Sequence, residues 1–201
     1  MIYEVINFFK TCKLYYYNRY IRKKLNISKQ HFYMKSEGFI SGFAYINVKN
    51  NFFAFRGLRM EAIDEYQGKH FVPRIDIGEN VAIGDFCHIA AINHVEIGNN
   101  VLMGSHILIT DHQHGNPREN LEVPPINRKL YSKGEVIIGN NVWIGDNVVI
   151  MPDVIIGDNA IIGANSVVTK NVLSNAVVAG VPAKLVNLEG EGLDRNVRNQ
   201  L

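Results

Sequence analysis

The sequence predicts an all-β, single-domain parallel solenoid of six-residue units, with an amino-terminal helix and one protruding loop. Three observations lead there. An aliphatic residue returns every six positions at Ile138, Ile144, Ile150, Ile156, Ile162 and Val168. The residue after it is Gly at 139, 145, 157 and 163, usually followed by Asp or Asn, types that accept turn dihedrals. The same period runs earlier through Ile77, Ile83 and Ile89, and through Ile97, Met103 and Ile109. A helix would space apolar residues three and four apart, whereas six is a multiple of the strand period of two. Each hexapeptide therefore reads as a short strand closed by a corner. Three of them make a triangular coil, and stacked coils bury an apolar column that no single repeat could bury alone.

The elements follow in chain order. Residues 1–30 carry Lys10, Lys13, Arg19, Arg22, Lys23, Lys24 and Lys29 against Glu4 alone, a net charge of +6 in a chain of +2, which leaves −4 elsewhere. Ile2, Val5, Ile6, Phe9, Cys12 and Tyr16 recur at helical spacing, so the segment is read as an amphipathic helix. Two roles suit it: a cap on the open edge of the solenoid, or a basic, aromatic surface for anionic lipid through residues 1–24. A nucleic-acid arm fits poorly, because the basic charge is confined to one segment with no binding motif. Residues 31–74 are strand-rich without a clean period and read as one or two irregular first coils.

The regular coils then stack as three inner columns: Ile77, Ile97, Ile138 and Ile156; Ile83, Met103, Ile144 and Ile162; Ile89, Ile109, Ile150 and Val168. The first two coils differ by twenty residues rather than eighteen, which places a two-residue bulge in "AAINHVE". The rhythm breaks again at a polar loop, residues 111–134, which holds three of the six prolines and opens with Asp111, His112 and His114. A loop of this length inside a compact repeat usually has a task. The domain is expected to close near residue 186, followed by a polar tail, 187–201. Two cysteines exclude a disulfide framework, so a reducing, cytoplasmic setting is expected. No stretch is long enough to span a bilayer, and the opening segment has the wrong charge order for a secretory signal.

The segments "ITDHQHG", "IGNNVWIG", "IGANSVVTK" and "AGVPAK", in that order and spacing, resemble the left-handed β-helix (hexapeptide-repeat) acyltransferases, in particular galactoside and maltose acetyltransferases and polysaccharide O-acetyltransferases. The resemblance covers about residues 75–186. It implies a left-handed coil, a homotrimer and transfer of an acetyl group from acetyl-CoA to a sugar hydroxyl, of a surface polysaccharide or its precursor; lipid contact through residues 1–24 would set the protein at the inner face of the membrane. An amino-sugar acceptor is the alternative within this chemistry, and a non-enzymatic binding scaffold the alternative outside it. A γ-type carbonic anhydrase would gather three histidines on zinc within about 2.1 Å, yet the register sets His88 beside Leu108 and Phe86 beside His106. No metal is therefore expected.

Acetyl transfer needs a base, since a sugar hydroxyl is a weak nucleophile at neutral pH, and histidine suits the task. His112 directly follows the inward Ile109 strand and matches the family's catalytic histidine. His114 is its competitor, and Asp111 and His114 are the candidate further residues of the acceptor site. The resemblance assigns Trp143, Gly145, Asp146, Ala164, Thr169, Lys170 and Lys184 to the cofactor. Trp143 would line the pantetheine channel, a backbone N–H at Gly145-Asp146 would stabilise the oxyanion, and the lysines would meet phosphates as point charges. Lys184 stands where relatives commonly have arginine. The asparagine that relatives use on the acceptor has no match in "FCHIAAINH", so the acceptor residues around 86–94 stay open.

Overall fold

The computed structural model describes residues 2–25, 27, 31–116, 118–119 and 121–186; the predicted tail and Lys29 lie outside them. The chain is mostly β, with one helix, α1, over Ile2–Lys24. Successive short strands join three parallel sheets in rotation. Face A has eight strands, from Phe32–Met34 to Val177–Ala179 in parallel order, with Lys184–Leu185 added antiparallel at its edge. Face B has six, from Phe39–Ser41 to Val167–Val168. Face C has five, from Ile46–Val48 to Val154–Ile156, and a single bridge to Val172 extends it.

The register places the inner residues where the six-residue spacing puts them. Ile77, Ile97, Ile138 and Ile156 are consecutive partners, as are Ile83, Met103, Ile144 and Ile162, and Ile89, Ile109, Ile150 and Val168. Two earlier coils continue the same columns through Val48, through Met34 and Ala54, and through Ile40 and Met60. Residues 31–74 thus form two coils. Their period is hidden because residue size varies along each column and because a β-hairpin, Glu65–Tyr66 with Lys69–His70, interrupts the second. Gln67 and Gly68, at φ 50° and 69°, form its turn.

Corners satisfy what the columns cannot. At the C-to-A corner Asn51, Asn80, Asn100, Asn141, Asn159 and Asn175 hold φ between 56° and 63°. Each side-chain amide donates to the next asparagine oxygen at 2.8–3.1 Å. A left-handed conformation costs most residues about 1–2 kcal/mol, and asparagine is among the few that adopt it readily. The ladder therefore selects asparagine twice, by dihedral and by hydrogen bond.

Helix α1 covers the open edge of the first coil, but not with its predicted stripe. Tyr17, Asn18, Ile21 and Leu25 face the coil, whereas Phe9 and Tyr16 are 65% and 67% exposed and Ile6 is exposed too; the side chains of Ile2 and Val5 are outside those described. The reason lies in what is being covered. A sheet edge offers unpaired backbone groups, so the packing face needs polar side chains. Asn18 accepts from the Met34 N–H at 2.7 Å and donates to its carbonyl at 2.9 Å. The Tyr17 hydroxyl likewise donates to the Gly38 carbonyl and accepts from its N–H.

The two kinds of position predict different penalties. Ile144→Asp, which puts a carboxylate against Met103 and Ile162, should cost several kcal/mol and prevent folding. Asn141→Ala should cost about 1–2 kcal/mol, and Asn141→Gly less than Asn141→Ala, because glycine keeps the left-handed dihedral. Thermal unfolding of the three variants ranks them.

Candidate active site

All the large irregularities leave the coils at the B-to-C corner. The second coil emits the 65–70 hairpin, the third carries the extra residues Ile92 and Asn93, and the fourth emits the loop that begins at Asp111 and returns at Glu135. His112–His114 pairs antiparallel with Leu130–Ser132, which makes the loop's base a ribbon. Tyr66 of the hairpin meets the His114 ring edge-on at 5.6 Å, and Gln67 donates to the Ile126 carbonyl at 3.1 Å. His94 holds the loop's return, with its ring between Glu135 at 3.1 Å and Asp76 at 2.9 Å. The hairpin was not read from the sequence, although "YQGK" carries a two-residue turn signal.

Asp111 is fully buried, and its carboxylate has three partners. Oδ1 accepts from the Ile92 N–H at 3.0 Å and Oδ2 from the Asn93 N–H at 2.7 Å, which pins the bulge of the coil above. Oδ1 also lies 2.9 Å from Nδ1 of His112. A carboxylate adjacent in sequence is poorly placed to reach the ring from a regular strand, where successive side chains point to opposite faces. It reaches it because the chain leaves the strand after Thr110 and turns Asp111 inward. With Nδ1–H donated to the carboxylate, the Nε2 lone pair of His112 is left to take a proton. His114 is exposed and has no hydrogen bond to its ring among the described residues, so geometry favours His112 as the base.

A second polar group shares this outer surface. His88 directs Nε2 to Glu61 Oε2 at 2.9 Å, and Arg59 pairs with the same carboxylate. Burial pushes the His88 imidazole below its ordinary pKa despite the pull of Glu61, and His112 lies close enough to add to the effect. A neutral His88 that donates from Nε2 presents Nδ1 as an acceptor. His88 and Glu61 are 27 residues apart, which is why sequence reasoning did not pair them.

The predicted cofactor residues fall into two groups. Thr169, Lys170 and Lys184 come together around an apolar recess of about 310 Å³ at the last coil, with Leu173, Pro182 and Leu185. Trp143 lies on face A, 53% exposed, in register with Leu102 and Ile161. Gly145, Asp146 and Ala164 occupy the A-to-B corner. Gly145 is required there, since a Cβ would lie 2.6 Å from the Ala164 nitrogen, and its own N–H is committed to the Ile162 carbonyl at 2.8 Å. The Asp146 carboxylate is committed as well, to the Ser105 N–H at 2.6 Å.

That corner contains a ladder that stops. The Arg56 N–H donates to Asp85, the Asp85 N–H to Ser105 Oγ and the Ser105 N–H to Asp146. The next residue below is Ala164, which has no acceptor side chain, so the Asp146 N–H has no partner among the described residues. An N–H held by rigid neighbours and left without an acceptor is suited to a developing oxyanion. Of the two backbone N–H groups at this corner, only that of Asp146 is thus open to such a role among the described residues.

Three substitutions separate these roles. His112→Ala should lower turnover by about 10² to 10⁴ and leave thermal stability nearly unchanged. Asp111→Asn should lower both turnover and stability, the latter by about 1–3 kcal/mol, because an amide turns a donor toward one of the backbone N–H groups or the ring. Ala164→Ser supplies the missing acceptor to the Asp146 N–H and should cost up to about 10² in turnover with no loss of stability. Steady-state kinetics beside thermal unfolding distinguishes the three.

Comparison with known proteins agrees with this architecture. The family model described as bacterial transferase hexapeptide (six repeats) matches residues 135–170. The putative lipopolysaccharide biosynthesis O-acetyl transferase WbbJ of Escherichia coli K12 is 35% identical over 146 residues, 70% of each chain. A galactoside acetyltransferase solved in complex with coenzyme A is 34% identical over 66% of each chain, with a TM-score of 0.52. The N-acyltransferase AntD of Bacillus cereus, in a mutant complex with dTDP and coenzyme A, superposes with a TM-score of 0.61 over 83% of this chain and 85% of its own; at 18% identity it speaks for the fold alone. Through its identity to WbbJ over two thirds of both chains, and through the hexapeptide model, the chain belongs to the hexapeptide-repeat acyltransferases.

Proposed function

We propose that the protein transfers an acetyl group from acetyl-CoA to a hydroxyl of a sugar in a surface polysaccharide or its precursor. The observation that carries this reading is the Asp111–His112 pair, a buried carboxylate 2.9 Å from one ring nitrogen of a histidine whose other nitrogen is left for a substrate. The acceptor hydroxyl attacks the thioester carbonyl as its proton passes to His112 Nε2, and Asp111 stabilises the imidazolium. The Asp146 N–H receives the oxyanion. Collapse expels the CoA sulfur, which takes the proton back from His112. The relatives' names support an oxygen acceptor, since both WbbJ and the galactoside enzyme are acetyltransferases of sugars or lipopolysaccharide by description.

The coils wind left-handed in this reading, and the enzyme is a homotrimer. Support comes from the outer side of face A, where every outward residue from Tyr33 through Phe53, Ala82, Leu102, Trp143 and Ile161 to Val177 is apolar and several are exposed. An apolar stripe this long favours burial against another surface. Face A lies opposite the B-to-C corner of the triangular coil. Trp143 and His112 of one chain therefore point away from each other, and a site using both needs Trp143 from a second copy. Among the described residues no helix is long and apolar enough to cross a membrane. The protein works in the cytoplasm against the inner face of the membrane, with the basic, aromatic α1 as its point of contact.

Two measurements test the reading. Release of free CoA thiol should depend on a sugar or oligosaccharide from a panel, with amino sugars acetylated at oxygen; acetylation at nitrogen would select the amino-sugar alternative. Mixing inactive His112→Ala and Trp143→Ala chains by denaturation and refolding should restore activity at about a quarter of the sites, as random pairing across a cyclic interface allows. No recovery from the mixture would place both residues in one chain's site.

A further inference from the structure

Helix α1 leaves a space beneath itself. Between its middle and the first coil lies a cavity of about 640 Å³, within the range of small-molecule sites. Leu14, Ile27 and Phe32 supply apolar wall, while Arg19, Arg22 and Lys23 line it as well. The polar side chain in its lining that could oppose a ligand, Asn18, is already committed to Met34 and to the Leu14 carbonyl. The helix's acidic residue, Glu4, lies in its first turn, and Glu37 of the coil is paired with Lys13. Among the described residues the cavity thus combines an apolar wall with the positive side chains of Arg19 and Lys23, and Phe8, Phe9, Tyr15 and Tyr16 are exposed on the same helix.

We propose that this cavity is a binding site for one anionic phospholipid of the membrane surface. An acyl chain lies against Leu14 and Phe32, the phosphate meets Arg19 and Lys23, and the exposed aromatics enter the headgroup region alongside. This deepens the membrane contact proposed above: attraction of a basic helix to anionic lipid is general, whereas a cavity selects a single molecule with both a chain and a charge. It also gives a role to Ile6, Phe9 and Tyr16 of the apolar stripe of α1, which are exposed.

The test uses the full chain and short-chain phosphatidylglycerol below its micelle concentration. Uptake, read by native mass spectrometry, is expected for the wild type, with at least a tenfold loss in the Arg19→Ala, Lys23→Ala double variant and in Thr11→Trp, which fills the cavity mouth without changing charge. Both variants should keep wild-type thermal unfolding and CoA-thiol release on a soluble acceptor. Uptake indifferent to Thr11→Trp, absent uptake in the wild type, or equal competition by inorganic phosphate alone would overturn the site. A parallel flotation assay with phosphatidylcholine vesicles, with and without phosphatidylglycerol, reads the membrane contact separately. Vesicle binding without short-chain uptake keeps the contact and removes the site. Loss of the oligomer on deletion of residues 2–13, with no lipid bound by the wild type, assigns the space to a second copy of the chain.

Discussion

The rest of the molecule depends on one constraint, the parallel stacking of each coil on the one before it with no shift in register. Once Ile83, Met103, Ile144 and Ile162 must lie one above another, every other position in the coil is stacked too, and each corner becomes a vertical series of equivalent sites. Side chains at a corner then bond to the next coil rather than to solvent. The asparagine ladder is one outcome, and the Asp85, Ser105, Asp146 series is another. Such a series can also be interrupted: Ala164 ends one of them, and the Asp146 N–H is left without a partner among the described residues.

The same constraint decides where extra chain can be placed. An insertion within a strand would shift an inner column by one position and turn its apolar residues outward, so additions are confined to corners. Here they share one corner, B to C, in three consecutive coils. Stacking makes them neighbours, so the hairpin, the bulge and the loop build one wall from segments far apart in sequence. Asp111 binds two of these additions with one carboxylate, holding the bulge by two N–H groups and His112 by its ring. A buried charge of this kind is tolerable only with several donors, and one of those donors is the His112 ring.

What could be read from the sequence follows from this division. The columns were legible because period and residue type coincide, even with Met103 in place of an aliphatic branch. The first two coils were not, because Met34, Ala54 and Met60 vary in size and the hairpin breaks the count. The position of His112 at the opening of the loop was legible from Ile109. Its contact with Asp111 was not, since it depends on the turn the chain takes after Thr110, and His88 with Glu61 is a contact between stacked coils. The helix was legible but its packed face was not: hydrophobic spacing marks the stripe through Ile6, Phe9 and Tyr16, while a sheet edge is satisfied by Asn18 and Tyr17. Periodicity reports apolar partners and is silent about backbone ones.

The triangular section gives the proposed mechanism a reason for a second copy of the chain. A coil has three outer faces and three corners, and a corner is always opposite a face. The corner that can accommodate insertions carries His112 and the carboxylate that holds its ring. The opposite face A must stay free of insertions to keep its stripe flat, and it carries the exposed tryptophan. No folding of a single chain can bring these together, because stacking fixes their angular separation. A cyclic arrangement does so at no cost to either, by setting the flat face of one copy against the elaborated corner of the next. The apolar stripe then gains a partner, and the acyl group lies where Asp146 and His112 are contributed from two sides.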